Sequence, residues 1–302
     1  MSEIKKQKKK EIFAPIGKVS NRWGWGFVSI SVIMISVLVF IPMIQSFLLS
    51  LQSGQGNQLT FAGLSNYKRM LTDTTFRKAL VNTFLYLLVQ VPVMIILALF
   101  ISVLLNDKKL KCRSFFRIAI FLPCVTSLVS YSLIMKSIFS GDGLVNQILM
   151  AMHLISEPIG WTTSPAFAKA LIIISITWRW TGYNMIFYLS GLQNIDPSIY
   201  EAAELDGCNG FQKFFKIIVP QLKPIILFTT ITSTIGTLQL FDEVKNITDG
   251  GPANTTLTIS QYIYNLCFKY TPNFGYAAAI AFVVLVMIAI LSAIQMKVGG
   301  DD

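Results

Sequence analysis

The sequence predicts an all-α integral membrane protein built as a bundle of six transmembrane helices. Of its 302 residues 53% are hydrophobic and only 13% are charged, which is about half the charged fraction of an average soluble domain. Six apolar runs are each long enough to cross a hydrocarbon core of about 30 Å, which takes about 20 helical residues. Because backbone polar groups in lipid must be satisfied within the chain, these runs favour helices over open sheets.

The predicted spans set the domain organisation. They cover about residues 27–51, 79–105, 115–139, 167–193, 221–243 and 275–296. A Lys-rich basic tail occupies 1–24, and the first transmembrane helix follows at 25–51. That first run lacks a small-residue cleavage site and is too long for the core of a signal peptide, so we interpret it as an uncleaved span.

The basic residues are distributed unevenly between alternate loops. Sixteen of the 25 Lys and Arg residues lie at the two ends, in 108–117 and in the region between the fourth and fifth spans, whereas seven lie in the other loops. This positive-inside bias predicts that both termini and the loop after the fourth span are cytoplasmic. The net charge of +10 therefore indicates contact with anionic lipid headgroups, and no nucleic-acid partner is expected.

Several kinds of chemistry are excluded by missing residues. The chain has four scattered cysteines and one histidine, His153, which leave no thiolate metal site or histidine-based triad. No phosphate-binding loop of the G-x-x-x-x-G-K-[ST] type occurs. We therefore expect no catalytic residues, no metal and no cofactor on this chain, and a function of binding and conformational change.

The polar stretch 196–220, between the fourth and fifth spans, has a distinctive spacing. Asp196 can cap a helix that Pro197 opens and Gly207 ends. The motif consists of Glu201, Ala202, Ala203, Gly207, Ile217 and Pro220. It resembles the "EAA...G.........I.LP" loop of the membrane subunits of binding-protein-dependent ABC importers, although Val219 stands where that family prefers Leu. Without this spacing, an amphipathic helix on the membrane surface would be the better interpretation.

Two outer loops add to the resemblance. After the first span, the "F.GL.NY" pattern of sugar-type importer permeases is matched by Phe61, Gly63, Leu64, Asn66 and Tyr67. Before the last span, the "T.GGP...T......Y...F" pattern is matched by Thr248, Gly250, Gly251, Pro252, Thr256, Tyr262 and Phe268. The chain thus resembles a maltose-permease-like subunit of a carbohydrate importer.

The resemblance implies a type 1 importer transmembrane domain over 75–296 with a coupling loop at 194–220. It implies a heterodimer with a second homologous permease, two ATP-binding subunits that carry ATP and Mg, and an extracytoplasmic solute-binding protein. The implied location is a bacterial cell membrane. The residues expected to couple the loop to the ATPases are Glu201, Ala202, Ala203, Asp206, Gly207 and Pro220.

The fourth and fifth spans carry the candidate solute pathway. Trp180, Tyr183 and Asn184 share one helical face, and aromatic rings with a few hydrogen-bonding groups suit a sugar. By resemblance to maltose-type permeases, the pathway includes Tyr183, Ser233 and Thr237, and it extends to Trp180 and Leu240. The alternatives are an aromatic packing or interfacial stripe, and hydroxyl groups bonded back to their own helix.

Arg179 is costly to place in hydrocarbon. We therefore expect it to face the pathway or a carboxylate, with Glu157, Asp242 and Glu243 as candidate partners. The alternative is that its side chain reaches the outer headgroups.

The expected function is the membrane-spanning permease subunit of an ATP-driven importer of oligosaccharides or glycosides. One alternative keeps the importer and changes the cargo to a non-sugar solute. The other is an ATP-independent secondary carrier, for which Lys136 and Arg179 would be candidate coupling charges.

Overall fold

The computed structural model describes residues 18–56, 58–107 and 109–300. Most of the predicted basic tail at 1–24 lies outside these residues. The described chain is mostly helical, and a small antiparallel sheet pairs β1 (Gln52–Gln55) with β2 (Gln58–Phe61), Gln52 lying opposite Phe61. The all-α class predicted from the sequence is confirmed.

The helices are numbered in chain order. The first eight are α1 (Lys18–Ile35), α2 (Ile41–Ser50), α3 (Ser65–Thr72), α4 (Thr74–Asn106), α5 (Arg113–Val125), α6 (Leu128–Ile138), α7 (Leu144–Ala151) and α8 (Pro165–Gln193). They are followed by α9 (Pro197–Leu205), α10 (Gly210–Lys213), α11 (Val219–Gln221), α12 (Lys223–Leu238), α13 (Asp242–Ile247), α14 (Ile259–Tyr264) and α15 (Phe274–Gly299). Three π-helical turns continue them at Ser36–Phe40, Phe214–Ile218 and Asn265–Lys269.

Three helices in the described ranges are long and apolar enough to cross a membrane: Gly24–Ser50, α4 and α15. Two bent pairs, α5 with α6 and the 210–221 helix with α12, raise the number to five if each pair is one span. Helix α8 has 29 residues and is therefore about 43 Å long, although its composition is more polar. These helices are consistent with the six predicted spans.

Two of the predicted spans are broken helices. The span expected at 115–139 bends by 105° between α5 and α6, where Thr126 is extended and Pro123 lies in the preceding turn. The span expected at 221–243 is bent by 70° before α12 and its helix ends at Leu238. Proline removes a backbone donor and clashes with the preceding turn, which explains breaks that hydropathy alone does not show.

Helices α4 and α8 pack along each other at the centre of the chain. Their buried side chains join Leu222, the residue before α12, in one cluster that includes Ala98, Met185 and Tyr188, and Ile225 and Ile226 of α12 pack against this cluster. By contrast, no residue in the apolar window of the first span is buried within the chain. That span meets the bundle near its end, where Phe47 of α2 lies with its ring centroid 4.9 Å from that of Phe282 in α15.

Candidate functional site: a central cavity and an exposed loop

A cavity of about 340 Å³ lies between α4, α6, α8 and α12. Gln90 and Met94 line it from α4, and Trp180 and Tyr183 line it from α8. These residues lie about halfway along their helices, far from either helix end. The cavity is therefore placed at the depth where a solute crossing the bundle would pass.

Most of the predicted pathway residues line this cavity. Trp180, Tyr183, Ser233, Thr237 and Leu240 all line it. The rings of Trp180 and Tyr183 meet edge to face with centroids 5.6 Å apart. Leu240 lies beyond the end of α12, so it reaches the cavity from an irregular segment, although the predicted fifth span extends to residue 243.

Asn184 occupies a different place from the predicted one. It is buried, and its Nδ2 donates to the carbonyl oxygen of Trp180 at 2.9 Å and contacts Met94 Sδ at 3.3 Å. Asn184 is not among the residues that line the cavity. Its contacts are therefore with its own helix and with Met94 of α4, and its role in the pathway stays a prediction.

Arg179 is 6% exposed, so it does not reach the headgroups. Its Nη2 donates to the carbonyl oxygens of Cys124 at 3.2 Å and Thr126 at 3.3 Å, which are freed where α5 ends. These carbonyls take the place of the expected carboxylate partner. Its guanidinium also lies over the ring of Tyr131, 5.1 Å from the centroid, and within electrostatic reach of Glu243.

Sequence reasoning missed Gln90 as a lining residue and considered Glu243 only as a partner for Arg179. Both are buried and line the cavity. The Thr237 hydroxyl lies 3.1 Å from Gln90 Oε1 and 2.8 Å from the Ser233 carbonyl oxygen. A glutamine in the otherwise apolar run of α4 was the available signal for this contact.

The loop 194–220 forms a separate, exposed feature. Asp196 accepts from the Ser198 amide at 2.9 Å and caps α9, and these hydrogen bonds lower the pKa of its carboxyl. Gly207 ends the helix with φ of +74°, a left-handed conformation that glycine adopts without steric cost. The sequence predicts both of these helix ends correctly.

The remaining motif residues of the loop differ in exposure. Glu201, Ala202, Asp206 and Pro220 are exposed, whereas Ala203 is buried against its own chain. Ala202 is therefore open to a partner surface, whereas Ala203 packs within the chain. The coupling role of these residues stays a prediction.

Apolar side chains accompany the motif on the loop surface. Leu205 is 90% exposed and Phe211 is 74% exposed, and Phe215 is also exposed beside Phe211 with ring centroids 4.6 Å apart. Lys213 Nζ contacts Glu204 Oε1 at 2.8 Å, and this hydrogen bond and charge lower the pKa of the Glu204 carboxyl. Such a surface can bind an apolar pocket on another protein.

The outer motifs hold the chain together. Asn66 of the first motif donates from Nδ2 to the carbonyl oxygens of Ser50 at 2.9 Å and Gln52 at 2.7 Å. In the second motif, the Thr256 hydroxyl contacts the Gly251 carbonyl oxygen and the Thr248 hydroxyl, both at 2.8 Å. These side chains therefore fix loop backbone at the end of the bundle opposite to the 194–220 loop.

No group of three or more His, Cys, Asp or Glu residues in the described ranges is placed to hold a metal ion.

The arrangement of a central cavity among long apolar helices, with an exposed loop at one end, defines a multi-pass membrane transport subunit.

The chain belongs to the family of binding-protein-dependent transport system inner membrane components, whose model matches residues 112–298. It is 56% identical over 274 residues to the lactose transport system permease protein LacF of Rhizobium radiobacter, covering 90% of this chain and 92% of that protein. It is 36% identical over 277 residues to the arabinooligosaccharides transport system permease protein AraP of Bacillus subtilis, covering 89% and 86%.

Solved structures show the same fold. A chain of a bacterial ABC transporter involved in the import of the acidic polysaccharide alginate superposes with a TM-score of 0.78 at 20% identity, covering 99% of this chain and 98% of that one. A chain of the bacterial alginate ABC transporter in complex with an alginate pentasaccharide-bound periplasmic protein gives a TM-score of 0.78 at 21% identity, covering 94% and 96%. The permease fold predicted from the sequence motifs is thus confirmed.

Proposed function

We propose that this chain is one permease subunit of an ATP-driven importer of oligosaccharides or glycosides. The observation that carries the proposal is the mid-helix cavity, in which Trp180 and Tyr183 face the hydroxyl and amide groups of Gln90, Ser233 and Thr237. Aromatic rings stack on the apolar faces of sugars, and the polar groups satisfy their hydroxyls. The names of the lactose and arabinooligosaccharide relatives support the same substrate class.

The proposed machine has further subunits. A second, homologous permease completes the path, a solute-binding protein delivers the sugar outside, and two ATPase subunits bind ATP and Mg inside. No cofactor is bound by this chain. The assembly sits in a bacterial cytoplasmic membrane with both termini of this chain inside. Supporting observations are the family match and the excess of Lys and Arg on one set of loops.

Coupling is proposed to run through the 194–220 loop. Closure of the ATPases on ATP would move α9 as a rigid body and reorient the two permeases around the cavity. Leu205 and Phe211 would enter the ATPase surface, because both are exposed beside the Glu201 to Gly207 motif. By linkage, sugar and binding protein must in turn favour the ATP-closed state.

Gly207 offers a sharp test of this docking. A Cβ added to Gly207 meets no atom of the described residues within 4 Å, so a bulky side chain there has room unless a partner occupies the space. We expect Gly207→Trp to abolish co-purification of an ATPase subunit from native membranes in mild detergent, as read by mass spectrometry, while the amount of inserted chain changes little.

Two controls separate docking from backbone strain. Gly207→Asn tolerates the left-handed conformation better than other residues, so it should retain more of the partner than Gly207→Trp does. A Cβ added to Gly210 also meets no atom of the described chain within 4 Å, so Gly210→Trp reports on the effect of a bulky side chain elsewhere in the loop. Recovery of the chain alone from wild-type membranes, with solute moved in vesicles without ATP, would establish a secondary carrier instead.

A further inference from the structure

The charged groups of the cavity lining are acidic. Among the described residues that line it, the charged side chains are Asp242 and Glu243, and no Lys, Arg or His is present. Both lie in the first turn of α13, directly after the irregular segment that carries Leu240. Glu243 is 4% exposed, whereas Asp242 is exposed.

The nearest basic groups do not line the cavity. Arg179 donates to the two carbonyl oxygens at the end of α5 and is not part of the lining. Lys245, one turn further along α13, bonds to Asp249 Oδ1 at 2.7 Å. Lys269 bonds to the same carboxylate at 3.0 Å. The described wall that a solute meets thus carries two carboxylates and no cation, since Arg179, Lys245 and Lys269 do not line it, and the potential close to this wall is negative.

A negative potential in a partly enclosed site acts strongly on charged solutes. A carboxylate within about 8 Å raises the local concentration of a singly charged cation by about tenfold and lowers that of a singly charged anion by the same factor. This holds at an effective dielectric constant between those of protein and water. Neutral sugar hydroxyls are unaffected by this repulsion and can donate to carboxylate oxygens in short, charge-assisted hydrogen bonds. The lining thus favours hydroxyl-rich neutral cargo.

We infer that Glu243 and Asp242 make the cavity selective by charge, admitting neutral sugars and excluding anionic ones such as uronates and sugar phosphates. This inference rests on the proposed sugar permease and names the charge class of its cargo. Glu243 is the specificity-determining residue, because its carboxylate lies beside the aromatic wall formed by Trp180. Asp242 adds a second negative charge at the exposed side.

The potential can be measured without any transport. In native membranes, Ser233→Cys places a thiol on the cavity wall, and its rates of modification by a cationic and an anionic methanethiosulfonate are compared with those of a free thiol. We expect the cationic reagent to be favoured by about tenfold. Glu243→Gln should reduce that preference several-fold, and Asp242→Asn should reduce it as well.

Matched controls make the result specific. The chain without Ser233→Cys gives the background of its four native cysteines, and Glu157→Gln removes an exposed carboxylate that does not line the cavity. Glu157→Gln should leave the preference unchanged. An equal preference in the parent and in both Glu243→Gln and Asp242→Asn, or a preference for the anionic reagent, would overturn the inference.

A second measurement separates this inference from the proposed function. Protection of the Ser233→Cys thiol is titrated with a neutral methyl galactoside and with the corresponding methyl galacturonide. We expect protection by the neutral glycoside alone in the parent, and by both in Glu243→Gln. Protection by neither contradicts the sugar pathway itself. Equal protection by both in the parent contradicts only charge selectivity.

Discussion

The two ends of the bundle, named outer and inner after the sides of the membrane proposed for them, are built in different ways. At the outer end, Asp73 accepts hydrogen bonds from the hydroxyls of Tyr262 at 2.6 Å and Tyr276 at 2.7 Å, and Asn82 donates to the carbonyl oxygens of Asn254 and Leu257. These contacts join segments that are far apart in the chain. At the inner end, the 194–220 loop makes local polar contacts, namely helix caps and the exposed ion pair of Glu204 and Lys213, and it packs on the α4 and α8 cluster through Tyr200, Phe214 and Ile218.

The difference indicates which end depends on contacts within this chain and which end is open to contact with other subunits. The outer end ties segments that are distant in the chain together through hydrogen bonds of Asp73 and Asn82, although it also exposes apolar side chains such as Phe268. The inner loop leaves apolar side chains in solvent, among them Leu205 and Phe211. We therefore expect substitutions at the outer end to act on folding, and substitutions in the inner loop to act on assembly.

The largest expected effect is at Gly275, in the first turn of α15. A Cβ added there would lie 2.0 Å from the carbonyl oxygen of Gln52 and 3.0 Å from its carbonyl carbon, which are backbone atoms that cannot rotate away. Gly275→Ala should therefore destabilise the chain by about 1–3 kcal/mol or more. Thermal unfolding in detergent, followed by size-exclusion chromatography, measures the loss.

Gly210→Ala is the inner-loop control for this change. Its added Cβ meets no atom of the described chain within 4 Å, and alanine favours the helix that begins there. We expect no loss of thermal stability. A fall in the unfolding temperature as large as that of Gly275→Ala would remove the contrast between the two ends.

Asp73 gives the next largest effect and depends on pH. Burial raises the pKa of its carboxyl, but hydrogen bonds from Tyr262, Tyr276 and the amides of Phe76 and Thr75 outweigh it, so the pKa lies below its ordinary value. Asp73→Ala removes these acceptors and should cost about 2 kcal/mol at neutral pH, since the carboxylate is partly exposed.

The sign of the pH dependence follows from the lowered pKa. The carboxylate contributes its full stability above the unfolded pKa of about 3.9 and loses it as the pH falls through the lower folded value. The difference in unfolding temperature between wild type and Asp73→Ala should therefore be constant from pH 7 to about 5 and shrink below about 4. A difference that grows on acidification would contradict this assignment.

The smallest effect is expected at the exposed pair of Glu204 and Lys213 in the inner loop. Lys213→Met removes a contact of 2.8 Å between solvated groups, and pairs of this kind add little to stability. The unfolding temperature should stay within error of the wild type at low and high salt. A clear fall at low salt would show that the pair helps to hold α9 and α10 together.

Much of the fold was accessible from hydropathy and local motifs. Long uniform runs predict α4 and α15, and the Asp196 cap and Gly207 predict both ends of α9, because these signals are local. The bend near Thr126 was missed, since a broken span and a straight one have the same hydropathy, whereas the bend before α12 lies at the predicted start of the fifth span. Only tertiary packing decides how far the two halves turn.

The candidate site was predictable where it depends on the spacing of residues along one helix. Helical spacing brings Trp180 and Tyr183 together on one face, and the structure places both at the cavity. Asn184 shares that spacing but turns to the carbonyl of Trp180 and to Met94. Gln90 reaches the cavity from a different helix, more than 140 residues away from Thr237 in the chain, and such a contact leaves no periodic trace.

The break between α5 and α6 leaves backbone carbonyl oxygens without helical partners, and Arg179 donates hydrogen bonds to them. Carbonyl oxygens at the C-terminal end of a helix carry partial negative charge from the aligned peptide dipoles, and in hydrocarbon they have no water to accept from. The guanidinium of Arg179 donates to the carbonyls of Cys124 and Thr126, so a side chain of one span acts as the C-cap of another. The buried cation and the interrupted helix thus compensate each other, and each would be unfavourable in the membrane alone.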